Sequence, residues 1–352
     1  MRDISLEDVL TLREQGATLV DVRSPGEYEE FTIPGSINIP LFTNEERSEI
    51  GTIYKQVSVD HAKERGLTIA SQKLPDLYRE FKALKGPIIL YCWRGGMRSR
   101  TMATVMSLMG MTIYRLQGGI RSYRRFIQER VEQEWSTPVV VLSGYTGTGK
   151  TAILQHLEEQ GYPVMDLERL AGHRGSIFGH IGLLPTSQKM FDAQYVEQKH
   201  RIEQQQKPFV LMEAESRRIG KVVLPEALMN AKAKGDLVHI HLPISERVKV
   251  IMEDYSPDEH EEAIVQAFER IRRRLHTPIA HELAQLLEHK HYEKAVQLMM
   301  EYYYDPRYEH AALSYEGACT LIEADTLEEA KTQVACLLQQ RSVTAASNPS
   351  RQ

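Results

Sequence analysis

Apolar residues along this chain fall into short runs that end in polar or glycine residues, and most runs are followed by a helix-like stretch. Residues 17–22 predict a strand that runs into Asp21, Arg23 and Ser24, and residues 35–40 predict a second with turn residues in front. Residues 88–91 are apolar throughout, as in a strand covered on both faces. Residues 98–109 predict a helix stopped by Gly110, and residues 113–116 a further strand before the Gly118-Gly119 turn. Strands alternating with helices imply a parallel sheet, whose ligands belong at the C-terminal ends of the strands. Cys92 stands at such an end.

The pattern then repeats. Residues 126–135 are charged and helix-prone, and Ser136-Thr137-Pro138 stops them. The expected organisation is a domain over 1–128, a linker helix over 129–137, a second domain over 138–340 and a disordered tail over 341–352. Strands are expected at 139–142, 162–165, 208–212, 237–242 and 320–323, with helices at 151–160, around Arg247 and at 327–340. Residues 261–300 read as entirely helical. The fold class expected is α/β, two parallel-sheet domains with a helical elaboration on the second.

Composition changes this picture little. The 352 residues are 26% charged and 42% hydrophobic, with a net charge of −5, so overall charge does not advertise a polyanion partner. Charge is uneven, however. Residues 87–150 hold nine basic and three acidic residues, and Arg270, Arg272, Arg273 and Arg274 form a second basic cluster. No apolar run approaches the ~20 residues of a membrane span, and the N-terminus has no signal pattern, so a cytoplasmic protein is expected. Three scattered cysteines do not suit a disulfide framework or a zinc site. Cys319 and Cys336 are expected to be buried and inert.

Two loops carry chemistry. The first is Cys92-Trp93-Arg94-Gly95-Gly96-Met97-Arg98-Ser99. A cysteine between a strand and a helix N-terminus faces loop amides and the positive helix end, which favour a thiolate. Arg94 and Arg98 add positive charge, and Gly95 and Gly96 let the backbone curl into an anion nest. The second is Gly144-Tyr145-Thr146-Gly147-Thr148-Gly149-Lys150-Thr151, a complete phosphate-loop pattern with a buried strand before it and a helix after. Amides of Gly144, Gly147 and Gly149 would approach phosphate oxygens, Lys150 would neutralise them, and Thr151 could reach a magnesium ion. Glu213 and Glu215, at the end of the 208–212 strand, could hold the metal through water. The pattern does not separate ATP from another diphosphate-bearing molecule.

The first 130 residues resemble the rhodanese family. Leu19-Val20-Asp21-Val22-Arg23-Ser24-Pro25-Gly26-Glu27-Tyr28 and Ile33-Pro34-Gly35-Ser36-Ile37-Asn38-Ile39-Pro40 look like its two leading stretches, with Phe31-Thr32 where Gly-His is usual. That resemblance puts Cys92 on the persulfide-carrying cysteine and gives Asp21 and Arg23 a structural role. The loop is one residue longer than in most rhodaneses. Its cysteine, five residues and arginine are similar to cysteine-dependent phosphatases, so a phosphatase is a competing reading, although no general acid is marked. The longer loop would also admit a larger donor such as selenophosphate.

A rhodanese-like domain followed by a phosphate-loop domain resembles the tRNA 2-selenouridine synthase family. Further similar stretches are Gly51-Thr52-Ile53-Tyr54-Lys55, Gln117-Gly118-Gly119-Ile120, His173-Arg174-Gly175-Ser176-Ile177-Phe178-Gly179 and Glu213-Ala214-Glu215-Ser216-Arg217-Arg218-Ile219-Gly220. The resemblance implies conversion of wobble 2-thiouridine to 2-selenouridine in tRNAs for Lys, Glu and Gln, by S-geranylation with geranyl diphosphate and then selenation with selenophosphate. Implied partners are tRNA, geranyl diphosphate, selenophosphate and the enzyme that makes it, with no membrane and no tightly bound cofactor beyond Mg2+ accompanying the diphosphate. Cys92 would handle selenium, and Lys150 and Thr151 the diphosphate. Arg121, Arg124 and Arg125 with Tyr123, and His173 and Arg174, are candidate tRNA or substrate contacts. Met299, Met300, Tyr302, Tyr303 and Tyr304 are candidate lining for a geranyl groove, with core packing as the plainer reading. Two alternatives stay open: a sulfurtransferase fused to a small-molecule kinase, and an ATP-regulated RNA-binding module with an inactive rhodanese-like domain.

Overall fold

The structure, a computed structural model, describes residues 1–308 and 316–347, with side chains to residue 307 in the first stretch and 342 in the second. The chain forms two compact units, Met1–Arg130 with Asp192–Gln194, and Val131–Phe191 with Tyr195–Gln352.

The first unit runs β1 (Arg2–Ile4), α1 (Leu6–Glu14), β2 (Thr18–Asp21), α2 (Pro25–Glu30), β3 (Ile37–Asn38), α3 (Asn44–Gln56), α4 (Val59–Ala83), β4 (Ile88–Tyr91), α5 (Met97–Leu108), β5 (Ile113–Leu116) and α6 (Ile120–Gln128). Its sheet is parallel in the order β1-β5-β4-β2-β3. All four β4 residues are buried, as a central strand covered on both faces requires. Val20, Leu90, Phe81 and Met102 share one core beneath it.

Asp21 and Arg23 are both buried and paired at 2.6 Å, and the Arg23 guanidinium also donates to the Phe31 carbonyl. Thr32, one of the two residues that depart from the usual rhodanese pattern, lies between Asp21 Oδ2 (3.2 Å) and the Tyr91 hydroxyl (2.6 Å). The departure is therefore absorbed into a buried polar network that holds the end of β2.

The second unit runs β6 (Val139–Gly144), α7 (Lys150–Glu159), β7 (Val164–Met165), α8 (Leu167–Ala171), α9 (Gln188–Gln204), β8 (Val210–Glu213), β9 (Arg218–Ile219), β10 (Val222–Val223), α10 (Glu226–Lys234), β11 (Asp236–His241) and α11 (Ile244–Tyr255). It continues through α12 (Glu261–Arg272), α13 (Thr277–Glu288), α14 (Tyr292–Met299), a π-helical turn (Met300–Tyr304), α15 (Asp305–Tyr308), β12 (Cys319–Glu323) and α16 (Leu327–Ser347). Its main sheet is parallel, β12-β11-β6-β8-β7, with β6 central. Val140, Leu154, Leu211 and Val238 centre one core, and Ile264, Phe268, Leu283 and Met299 a second, mostly helical one.

Several sequence expectations are corrected. The charged stretch at 126–135 is not a continuous helix, and the 129–137 linker is turn and irregular chain after Gln128. The carbonyls of Gln133 and Glu134 accept from the buried Lys199 ammonium at 2.5 and 2.7 Å, and the Trp135 indole donates to Tyr195, so this backbone is committed elsewhere. Residues 261–300 form three helices, because Pro278 opens α13 and positive φ at Lys290 closes it. The last helix continues past 340 to Ser347, so that part of the expected disordered tail is helical. Residues 348–352 of that tail lie outside the described residues. Cys319 and Cys336 are exposed, whereas Cys92 is buried. Among the described residues no helix is long and apolar enough to cross a membrane.

Candidate functional site

Cys92 leaves the C-terminal end of β4, and its sulfur lies 3.2 Å from the Ser99 hydroxyl, one turn into α5. The loop between them is fixed chiefly through its carbonyls. Ile120 and Arg121 at the start of α6 donate their amides to the carbonyls of Cys92 (2.9 Å) and Trp93 (3.2 Å). Arg115 on β5 donates to the Gly95 carbonyl at 2.8 Å while paired with Asp3 at 2.6 Å. Gly119 packs directly beneath: a Cβ there would lie 2.2 Å from the Cys92 carbonyl oxygen. Neither Arg115 nor Gly119 stood out as a site residue in the sequence, since both act through loop backbone.

The two loop arginines differ. Arg94 is exposed. Arg98 is bound in a two-pronged pair with Glu27, 2.5 and 3.2 Å, so it braces the loop against α2. Burial raises the Glu27 carboxyl, but the hydrogen bond and charge of Arg98 outweigh it and hold Glu27 below its ordinary value. Gly95 is part-buried with its carbonyl held, and Gly96 caps α5 in the open. Trp93 and Met97 are exposed beside them.

In the second unit Gly144 ends β6, Gly147 lies mid-loop and Gly149 caps α7. Lys150 folds back, its ammonium donating to the carbonyls of Gly144 (3.0 Å) and Tyr145 (3.2 Å). Burial lowers its pKa, and Glu168, Glu215 and Glu213 pull it back up. The Thr151 hydroxyl donates to Glu168 Oε2 at 3.0 Å. Arg247 on α11, itself paired with Asp305 at 2.6 Å, donates to the Thr146 carbonyl and secures the loop from behind.

Four acids gather at the strand ends. Asp166 caps α8, Glu168 follows, and Glu213 ends β8 and accepts from the Glu168 amide at 2.9 Å. Burial raises Asp166 and Glu213, and raises Glu168 to about 8, with the Glu215 charge adding to the Glu168 shift. Glu213 Oε2 is buried without a hydrogen-bond partner. Sequence reasoning singled out Glu213 and Glu215 but missed Glu168, whose signal was its place just past a strand end and its reach to Thr151. Among the described residues no group of three or more His, Cys, Asp or Glu is arranged as a full metal ligand set.

The candidate contacts divide similarly. His173 is half-buried against the backbone of Gly179 and Gly220, and its Nδ1 accepts from the Gly175 amide at 3.1 Å. Burial and then the charge of His180 push its pKa down. Arg174 donates to the Ile181 carbonyl at 2.8 Å and lies 5.0 Å over the Tyr255 ring, so it braces its own loop. On α6, Arg121 and Arg125 are exposed and Arg124 is half-buried, but Tyr123 is fully buried and stacked between Phe31 and Phe126. Tyr123 is therefore a core residue and not a base-stacking platform.

A narrow, partly open apolar pocket with a cavity volume of about 50 Å³ lies beside the phosphate loop. Thr146 forms part of its wall, with Ile264, Val296, Met299, Met300 and Tyr304. Met300 also packs against Gly147, its Cε 2.9 Å from where a Cβ would stand. Of the five residues expected to line a groove, Met299, Met300 and Tyr304 do so, Tyr303 is buried in the helical core and Tyr302 is exposed.

Comparison with known proteins agrees with both halves of this architecture. A rhodanese-like domain matches residues 5–126, and the tRNA 2-selenouridine synthase AAA domain matches residues 137–341. The tRNA 2-selenouridine synthase of Hahella chejuensis is 32% identical over 86% of this chain and 87% of its own length. That of Aeromonas salmonicida is 32% identical over 82% and 86%. A solved N-terminal domain from Clostridium difficile 630 is 42% identical, covering 35% of this chain and 97% of that one at a TM-score of 0.33. With a family match over more than half its length and relatives aligned almost end to end, the chain belongs to the tRNA 2-selenouridine synthase family.

Proposed function

We propose that the protein makes 2-selenouridine in tRNA in two steps, S-geranylation at the phosphate loop and selenation served by Cys92. The observation that carries this reading is the apolar pocket adjoining the phosphate loop through Thr146 and Met300. Its free volume of about 50 Å³ is below the ~300–1,000 Å³ of small-molecule sites, so a hydrocarbon tail would enter by displacing mobile lining side chains such as Met299 and Met300. An apolar wall beside a phosphate cradle suits a diphosphate ester with a hydrocarbon tail better than it suits a nucleotide.

The chemistry follows from the parts. A thiocarbonyl sulfur leaves carbon 2 poorly until it is alkylated. In the first step the sulfur attacks the geranyl carbon that bears the diphosphate. The carbon–oxygen bond breaks, diphosphate leaves, and the base loses its N3 proton. Loop amides and Lys150 stabilise the departing charge, Lys150 exchanging its two carbonyl partners for phosphate oxygens. The residues present fit a magnesium ion. Thr151 and Glu168 offer oxygens 3.0 Å apart, and Asp166 Oδ2 and Glu213 Oε2 are buried with no hydrogen-bond donor, so a cation there would hold these carboxyls in their charged form. Such an ion would neutralise diphosphate charge and take its remaining ligands from phosphate and water. In the second step the selenium of selenophosphate adds at carbon 2, its bond to phosphorus is cleaved by water to release phosphate, and the carbon–sulfur bond breaks so that geranylthiolate leaves, with Cys92 holding the selenium donor beside the base.

The test incubates the protein with thiolated tRNA and geranyl diphosphate, then adds selenophosphate, with nucleoside mass spectrometry after each addition. A geranylated nucleoside followed by a selenonucleoside is expected. Cys92→Ser should keep the first product and lose the second, and Lys150→Ala should lose the first. Absence of both products from the unaltered protein would refute the reading.

A further inference from the structure

The β9–β10 hairpin has no role so far, and its construction points outward. The two strands pair antiparallel, Ile219 with Val222 and Arg218 with Val223, across the two-residue loop Gly220-Lys221. Gly220 takes φ +56, the left-handed value that a tight hairpin loop of this kind asks of its first residue. Side chains alternate faces along each strand, so Ile219 and Val222 share the buried face, at 0% and 1% exposure, while Arg218 is on the other.

Three anchors hold the hairpin still. The Gln188 side chain makes both backbone hydrogen bonds of Val223, at 2.7 and 3.0 Å. The buried Lys232 ammonium donates to the Glu215 carbonyl at 2.6 Å, just before the first strand. The His173 ring packs on Gly220, within 2.6 Å of where a Cβ would stand. The hairpin is thus attached to the loop that contains Gly175, which in turn meets the Glu215 carboxylate.

Against this fixed base Arg217, Arg218 and Lys221 are all exposed, and among the described residues none of them forms an ion pair. Cations on a mobile surface loop are ordinarily solvated and adaptable. Three unpaired cations on a short, pinned hairpin at the end of the β8 strand are instead preorganised for a partner with regularly spaced negative charge.

We infer that Arg217, Arg218 and Lys221 form a phosphate-gripping rim that seats the tRNA substrate beside the phosphate-loop site. The occupant follows from charge complementarity and from the tRNA substrate that family membership implies, on which this inference rests. A cation–phosphate contact releases counterions, so each should contribute to the salt dependence of binding.

The experiment measures binding of full-length protein to fluorescently labelled thiolated tRNA across a salt series. Arg217→Ala/Arg218→Ala/Lys221→Ala should bind roughly tenfold or more weakly at moderate salt, with the slope of log K against log salt lowered by about one for each cation. Arg217→Lys/Arg218→Lys should retain most of the slope, because charge and not shape makes the contact. A parallel variant, Arg270→Ala/Arg273→Ala/Arg274→Ala, removes equal charge from the end of α12. If the hairpin variant binds as the unaltered protein does, or if only the α12 variant loses slope, the hairpin is not the rim. If the unaltered protein does not bind tRNA at all, the substrate reading fails first and the rim with it. Thermal unfolding of each variant separates lost contacts from lost fold.

Discussion

Gly119→Ala places a single methyl group under the cysteine loop, and its cost can be worked from geometry. The native backbone at Gly119 has φ 60° and ψ −156°, a region essentially closed to residues with a Cβ. Occupying it costs about 1–3 kcal/mol. The added carbon would also lie 2.2 Å from the Cys92 oxygen, 2.5 Å from the Gly95 nitrogen and 2.9 Å from the Arg94 nitrogen. All three are backbone atoms, so none can swing aside as a side-chain tip would. The loop must shift, and shifting it breaks the Ile120-to-Cys92 hydrogen bond at about 1 kcal/mol. A loss of about 3 kcal/mol follows, or roughly 6–18 °C in Tm if the first unit unfolds as a domain of its own size. Gly96→Ala is the internal control, since nothing lies within 4 Å of its Cβ position and its φ is −85°. Calorimetry on both variants, paired with the selenation assay, gives the comparison. A Gly119→Ala protein that melts within about 2 °C of the unaltered one and still selenates tRNA would refute the reasoning.

Ala295→Phe puts a ring into the apolar pocket, and its effect should depend on the prenyl chain. The KM for geranyl diphosphate should rise roughly tenfold, at ~0.8 kcal/mol for each methylene left unburied, while dimethylallyl diphosphate is less affected; equal effects on both would place the tail elsewhere. Arg115→Met removes the partner of the Gly95 carbonyl and of Asp3, so urea unfolding should show a loss of about 1–3 kcal/mol, and an unchanged midpoint would mean that Arg115 does not hold the loop. Glu168 has its pKa raised to about 8 by burial, so its protonated form is the one the fold favours. The stability associated with that proton is complete below the ordinary carboxylate range and is lost as pH climbs toward 8. Glu168→Gln should therefore flatten the decline in Tm between pH 5 and pH 8, and parallel curves for the two proteins would show that Glu168 does not titrate there.

The two parallel sheets and both loops were legible because each depends on local signals: buried-type apolar strands, glycine punctuation and a complete phosphate-loop pattern. What stayed hidden depends on partners far along the chain. Arg94 and Arg98 look equivalent in sequence, yet Glu27, seventy-one residues away, binds only Arg98. Arg115 and Arg247 act on loop carbonyls that carry no sequence signature. The stretch at 126–135 has the composition of a helix, but Lys199 and Tyr195 claim its backbone and its tryptophan. The helical break near Pro278 is marked by the proline but masked by apolar spacing that is continuous on either side. Glu168 showed in the sequence only as a polar residue past a strand end, because its meeting with Thr151 across seventeen positions depends on a short strand and a tight cap.

The burial of Cys92, set beside the exposure of Cys319 and Cys336, has a practical side. Accessibility as well as thiolate character governs attack by oxidants and alkylating reagents. A bulky thiol reagent applied to the folded protein will count Cys319 and Cys336 before it reaches Cys92, so thiol titration alone misreports the state of the chemically important sulfur. The same burial should slow attack on Cys92 by glutathione and peroxide.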